Sequence, residues 1–88
     1  MGSPLNEARH IQDEFLMTDL DVGITFAEIA LDSNDQDKIK RNTENARKAY
    51  ETVLHFLPQT TPTQAERAKI NEKAASLKSL LQRLGETF

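Results

Sequence analysis

Cysteine is absent from this 88-residue sequence, and glycine and proline occur only three times each. Without cysteine the chain can form no disulfide and no thiolate zinc site, and it has no cysteine nucleophile. The absence of cysteine is compatible with the cytoplasmic location that we expect. Because glycine and proline are the strongest interruptions of regular structure, their scarcity leaves room for long helices.

Long apolar runs and dense basic stretches are missing as well. No apolar run approaches the roughly 20 residues of a membrane-spanning helix, and no basic, apolar leader opens the sequence. Residues 1–33 carry seven acids and one base, residues 34–57 four acids and five bases, and residues 58–88 three acids and five bases. Neither basic segment forms the dense stripe typical of nucleic-acid binding. We therefore expect no membrane and no nucleic-acid partner, and an acidic first segment packed on two mildly basic ones.

Capping residues divide the chain into three helical segments. We expect these segments to form one domain, residues 1–88. Pro4 follows the cap candidate Ser3. Capping boxes begin at Ser33 and at Thr61, and Pro58 and Gly85 end the helices that precede them. The predicted helices span residues of about 4–31, 34–57 and 62–84.

Apolar residues recur every three or four positions in the second and third segments. The stripes consist of Ile39, Thr43, Ala46, Tyr50, Val53 and Leu57, and of Ile70, Ala74, Leu77, Leu81 and Leu84. Stripes of this kind pack helices at shallow angles, and short joining loops force sequential helices to run antiparallel. The sequence therefore predicts an all-α, antiparallel three-helix bundle.

The first segment carries more apolar residues than two neighbouring helices can cover. One stripe comprises Ala8, Ile11, Phe15, Thr18, Val22, Phe26 and Ile29. A second comprises Leu5, Leu16, Leu20, Gly23, Ala27 and Ala30, offset by about 120°. Met17, Ile24 and Leu31 widen the apolar arc to roughly 260°.

We take the first of these stripes as the side of the helix that enters the bundle. The predicted core then comprises Phe15, Val22, Phe26, Ala46, Tyr50, Val53, Leu77 and Leu81. On this assignment the spare face of the first helix comprises Met17, Leu20, Ile24 and Leu31. Such a face is either a scatter of exposed apolar residues or a partner-binding or dimer face.

Asp19 falls inside the apolar arc, where a carboxylate must find hydrogen-bond donors or stay protonated. We expect Asp19 to be a buried polar residue with a structural role, bonded to Arg47, to the Tyr50 hydroxyl or to local backbone. Gly23, inside the same helix, either allows another helix to approach closely or marks a kink, and we expect the close approach.

The sequence contains no recognisable catalytic, cofactor-binding or metal-ligating pattern. It holds two histidines, His10 and His55, on different predicted helices and without further ligands at suitable spacing. No Gly-rich phosphate loop and no nucleophile–base spacing is present. We expect no enzymatic activity, no cofactor and no metal.

Part of the chain resembles known helical families. Ala46, Tyr50, Val53 and Pro58, together with Val22-Gly23 and Phe26, resemble the consensus positions of a tetratricopeptide repeat. The plan of three antiparallel helices is similar to that of microtubule-interacting-and-trafficking domains. Both resemblances imply a groove between helices that binds a peptide or helix of another protein. The stretch of residues 45–53 also resembles a group of short, uncharacterised bacterial proteins.

The sequence thus leaves two hypotheses of function open. The leading one is a non-enzymatic interaction module that binds a helix or peptide of another protein through an apolar face of the first helix. The alternative is a structural homodimer in which that face pairs with its own copy.

Overall fold

The computed structural model describes residues 4–88, with side chains described from residue 14 onward, and it is an all-α bundle of three helices. The elements are α1 (Pro4–Asp32), α2 (Gln36–Phe56), a 3-10 turn (Leu57–Gln59) and α3 (Gln64–Arg83). The predicted fold class and helix order are confirmed. The predicted cap Ser3 lies outside the described residues.

The two inner helix starts lie two residues later than the sequence predicts. Helix α2 is capped by Asp35, whose carboxylate accepts hydrogen bonds from the backbone N–H groups of Asp37 and Lys38. Helix α3 is capped by Thr63, which forms a reciprocal capping box with Glu66. Each loop offers two candidate caps two residues apart, Ser33 and Asp35 in the first and Thr61 and Thr63 in the second. In both loops the later residue is the cap and accepts hydrogen bonds from unpaired N–H groups of the first turn.

The predicted helix stops are confirmed. Helix α2 ends at Phe56, and Pro58 lies in the 3-10 turn that comes next. Gly85 has a φ of 94°, the left-handed conformation that only glycine adopts without strain. Its backbone N–H donates to the carbonyl of Gln82, while that of Glu86 donates to the carbonyl of Leu81, which closes the end of α3.

Helix α1 contacts both other helices extensively, whereas α2 and α3 contact each other much less. The buried apolar core comprises Leu16, Leu20, Ala27, Ala30, Ala46, Ala49, Val53, Ile70, Leu77 and Leu81. Among the predicted core residues, the burial of Ala46, Val53, Leu77 and Leu81 is confirmed, and Phe26 and Tyr50 are partly buried against the core. The prediction was wrong for Phe15 and Val22, which are exposed.

The smallest residues of α1 explain which of its stripes faces the bundle. A methyl group added at Gly23 would lie 2.8 Å from Leu77 Cδ2 and 2.9 Å from Ala49 Cβ, closer than such atoms can approach. Gly23 therefore permits the tight junction of the three helices, as the sequence predicts. Bulky side chains such as Phe15 cannot occupy that junction, so they lie on its flank.

Over the part of the chain that the structure describes, no helix has an apolar stretch long enough to span a membrane.

Candidate functional site

The face predicted to meet a partner is covered by the chain itself. Leu20 is completely buried in the core, and Met17 and Ile24 are partly buried against it. Leu31 is also only partly exposed. Asp21, on the side of α1 next to this face, forms an ion pair of 2.6 Å with Lys73 of α3. The predicted free face was therefore wrong, because α1 is rotated by about 120° from the predicted orientation and turns this side toward α3.

The rotation leaves a different apolar stripe on the outside of α1. Phe15 is 58% exposed, Val22 43% and Ile29 37%. They are spaced by seven residues, so they lie in one line along the helix, as do the core positions of a coiled coil. We name the line formed by Phe15, Val22 and Ile29 the outer stripe.

The outer stripe borders a groove between α1 and α2. The groove has a volume of about 350 Å³ and is open to solvent. It is lined by Phe15, Asp19, Val22 and Phe26 from α1 and by Asn45, Lys48, Ala49 and Thr52 from α2. Phe56, four residues after Thr52, extends the same side of α2 and is 44% exposed. An aromatic-rich surface thus continues from the outer stripe across to α2.

The α2 wall of the groove carries one charged residue, a lysine. Lys48 lines the groove. Arg41, seven residues earlier on the same side of α2, lies outside the groove, near Asp35, Asp37 and Glu44. The side chains of Lys48 and Arg41 are both exposed, and neither forms an ion pair with any carboxylate of the described residues. The groove itself therefore combines apolar contacts on α1 with one cation on α2, that of Lys48.

Asp19 lies in the α1 wall of this groove and is partly buried. Burial raises the pKa of its carboxyl above the ordinary value of 3.8. Asp19 accepts no hydrogen bond from the described residues, so the predicted bond to Arg47, Tyr50 or local backbone is not found. The rotation of α1 explains this difference, because it places Asp19 on the opposite flank of α2 from Arg47 and Tyr50.

We expect Asp19→Asn to stabilise the protein at pH 7 by about 0.5 kcal/mol, a typical size for a partly exposed position. A carboxyl whose pKa is higher in the folded than in the unfolded state favours folding when protonated. Its ionisation therefore costs stability as the pH rises above 3.8, and the gain from asparagine should vanish at about pH 3.

Urea unfolding of both proteins at the two pH values measures this difference. A variant less stable than the parent at pH 7 would show that Asp19 has an attractive partner in solution.

Arg47 and Tyr50 instead hold the C-terminal residues against the opposite side of α2. Arg47 donates to the Thr87 carbonyl oxygen at 2.9 Å, and its guanidinium lies 4.2 Å from the centre of the Phe88 ring. Tyr50 meets the same ring edge-on at 5.2 Å. This cluster was missed from the sequence, because Phe88 lies beyond the last helix and outside every periodic stripe.

Among the described residues, no group of three or more histidine, aspartate or glutamate side chains is placed to hold a metal ion. His55 is exposed, and its ring packs edge-on against Phe56 at 5.0 Å.

Comparison of the chain with protein-family models, with curated proteins and with solved structures finds no match. The resemblances to tetratricopeptide repeats, to microtubule-interacting-and-trafficking domains and to short bacterial proteins therefore stay predictions.

Proposed function

We propose that this protein is a non-enzymatic interaction module that binds an amphipathic helix of another polypeptide along the α1–α2 groove. The observation that carries the proposal is the outer stripe: Phe15, Val22 and Ile29 stay exposed in a line at sevenfold spacing, although two neighbouring helices are available to cover α1. A helix binds such a line by inserting its own apolar residues between those of the stripe.

The charges of the groove define the partner further. Lys48 on the α2 wall favours a helix that places acidic residues on the side of its apolar stripe that faces α2. Asp19 on the α1 wall carries the opposite charge, so the acidic residues of the partner should face α2 and not α1. The cytoplasmic location expected from the sequence belongs to the same proposal.

A labelled synthetic helix tests the proposal. The probe is a peptide of about 21 residues with leucine at the first and fourth positions of each heptad, glutamate beside them and alanine elsewhere. A matched control peptide carries lysine in place of every glutamate. Fluorescence anisotropy with the protein at about 1 µM should show micromolar affinity for the acidic peptide and about tenfold weaker binding of the basic one.

The Val22→Glu variant is the matching control in the protein, because it places a charge in the middle of the outer stripe. This variant should stay folded and lose binding of the acidic peptide. Equal affinity for both peptides, or binding that Val22→Glu leaves unchanged, would contradict the proposed groove.

A further inference from the structure

Residues 86–88 lie against the side of α2 that faces away from the groove, and α3 contacts them as well. We name these residues, Glu86-Thr87-Phe88, the end segment. The φ of 94° at Gly85 turns the chain back after α3, and the Glu86 N–H donates to the Leu81 carbonyl oxygen. Beyond this turn, the end segment is held by side chains of α2 and α3.

The ring of Phe88 contacts both helices at once. From α2, the central guanidinium carbon of Arg47 lies 4.2 Å from the centre of the ring, and Tyr50 meets the ring edge-on at 5.2 Å. From α3, the Lys78 ammonium nitrogen lies 5.3 Å from the same centre. Cations at these distances are attracted by the face of an aromatic ring, an attraction that an aliphatic side chain does not offer. We name the surface formed by Arg47, Tyr50 and Lys78 the aromatic site.

Arg47 is oriented by a residue of its own helix. Its Nε–H donates to Glu51 Oε1 at 2.8 Å, a bond within α2 that does not involve the end segment. Its Nη1 donates to the Thr87 carbonyl oxygen at 2.9 Å and lies 3.7 Å from Glu86 Oε1. One planar guanidinium thus offers a cation to a ring, a hydrogen-bond donor to a backbone carbonyl and an attraction to a carboxylate.

The charges of the end segment match those of the aromatic site. Arg47 and Lys78 contribute two positive charges, and Glu51, which contacts Arg47, contributes one negative charge. Glu86 of the end segment supplies the second negative charge. The acid and the ring of the end segment therefore each find a cation in the aromatic site.

The end segment is held by few contacts. Phe88 is 49% exposed, and the backbone N–H groups of Thr87 and Phe88 donate no hydrogen bond to any of the described residues. Exposed charge pairs and a half-exposed ring contribute little more than the ordering of three residues costs. The end segment should therefore exchange between a bound and a free state.

We propose that the aromatic site is a second peptide-binding site, specific for an aromatic residue that follows an acidic residue by two positions. In the free protein the end segment fills this site, and a segment of another protein with the same pattern binds when the end segment leaves. The aromatic site is separate from the α1–α2 groove, so this inference does not depend on the function proposed for the groove.

The probe is the amidated peptide Leu-Gly-Glu-Thr-Phe, which repeats residues 84–88 as a separate molecule. The variant Phe88→Ala of the full chain frees the ring position, and its helices should be unchanged because Phe88 lies outside them. In a nuclear magnetic resonance titration, the probe should shift the signals of the Arg47 Nε–H and of Tyr50, the only tyrosine.

The variant Phe88→Ala should bind the probe with a dissociation constant of about 0.5 mM, as suits a ligand of five residues. The parent should bind it about fivefold more weakly, because its own end segment fills the site in about four molecules of five. Absence of any shift at Arg47 and Tyr50 up to about 5 mM probe would overturn the site. Equal affinity of the parent and Phe88→Ala would overturn its closure by the end segment.

Two control probes separate the ring from the acid. One carries leucine in place of phenylalanine, and the other carries glutamine in place of glutamate. Each should bind Phe88→Ala at least about threefold more weakly than the first probe does. Equal binding of the three probes would overturn the proposed specificity.

The same substitution at two arginines of α2 is the matched control in the protein. Added to Phe88→Ala, Arg47→Lys keeps the charge but removes the planar guanidinium, so the affinity for the probe should fall about fivefold. Arg41→Lys, at an exposed position next to Asp37 and Glu44, should leave the affinity unchanged. Equal losses for both variants would contradict the role of Arg47.

A measurement on the parent needs no substitution at position 88. Nuclear Overhauser contacts between the rings of Tyr50 and Phe88 should be present in the parent and should disappear in Arg47→Lys. Their absence from the parent would overturn the filling of the aromatic site by the end segment.

Discussion

Replacing Leu20 by alanine should destabilise the protein by about 3–5 kcal/mol, the range found for fully buried leucines. Leu20 is completely buried in the core formed by all three helices. The substitution removes apolar contacts and leaves a cavity that tightly packed neighbours fill only in part. Because a domain of this length has about 4–13 kcal/mol of stability in all, the variant should unfold at low urea concentration or at room temperature.

Val22→Ala is the matched control, since it also shortens an apolar side chain of α1 but at an exposed position. Its free energy of unfolding should lie within about 0.5 kcal/mol of the parent value. Urea titration followed by far-ultraviolet circular dichroism compares the three proteins. Similar losses for both variants would mean that α1 packs with Val22 inward.

The sequence was sufficient to predict the helices and the packing sides of α2 and α3. In each of these helices the apolar residues form a single stripe, and Val53 and Leu77 lie near the centres of those stripes. Only one side of such a helix can enter a core. The capping residues predicted the helix ends to within about two residues of the observed ones.

The orientation of α1 could not be predicted from periodicity, because two stripes of similar hydrophobicity compete in it. The larger side chains, Phe15 and Val22, suggested the wrong one. What decides the packing is the size of the residues at the closest contact. Gly23 and Ala27 allow α2 and α3 to approach α1 together, and this requirement appears only when all three helices are placed.

The excess of apolar surface on α1 was a correct expectation, but its position was not. The predicted face that includes Ile24 is turned toward α3, and the exposed surface consists of the outer stripe. Asp19 changed its role for the same reason: the rotation moves it from the expected contact with Arg47 into the wall of the groove. Neither change can be predicted when each helix is considered separately.

The orientation of α1 is tested most directly by the same substitution at two neighbouring positions. Ile24→Glu introduces a charge where the side chain packs against the core, whereas Val22→Glu introduces it on the outer stripe. At position 24 the carboxylate loses water without gaining a partner, which should lower the free energy of unfolding by about 3 kcal/mol. At position 22 the carboxylate stays hydrated, and glutamate favours a helix slightly more than valine does.

The measurement is the thermal unfolding midpoint of both variants, each at a concentration low enough to keep the parent monomeric. We predict that Ile24→Glu melts at least about 10 °C below the parent, and that Val22→Glu melts within a few degrees of it. If Val22→Glu unfolds and Ile24→Glu does not, α1 has the opposite orientation, and the outer stripe cannot be the binding face.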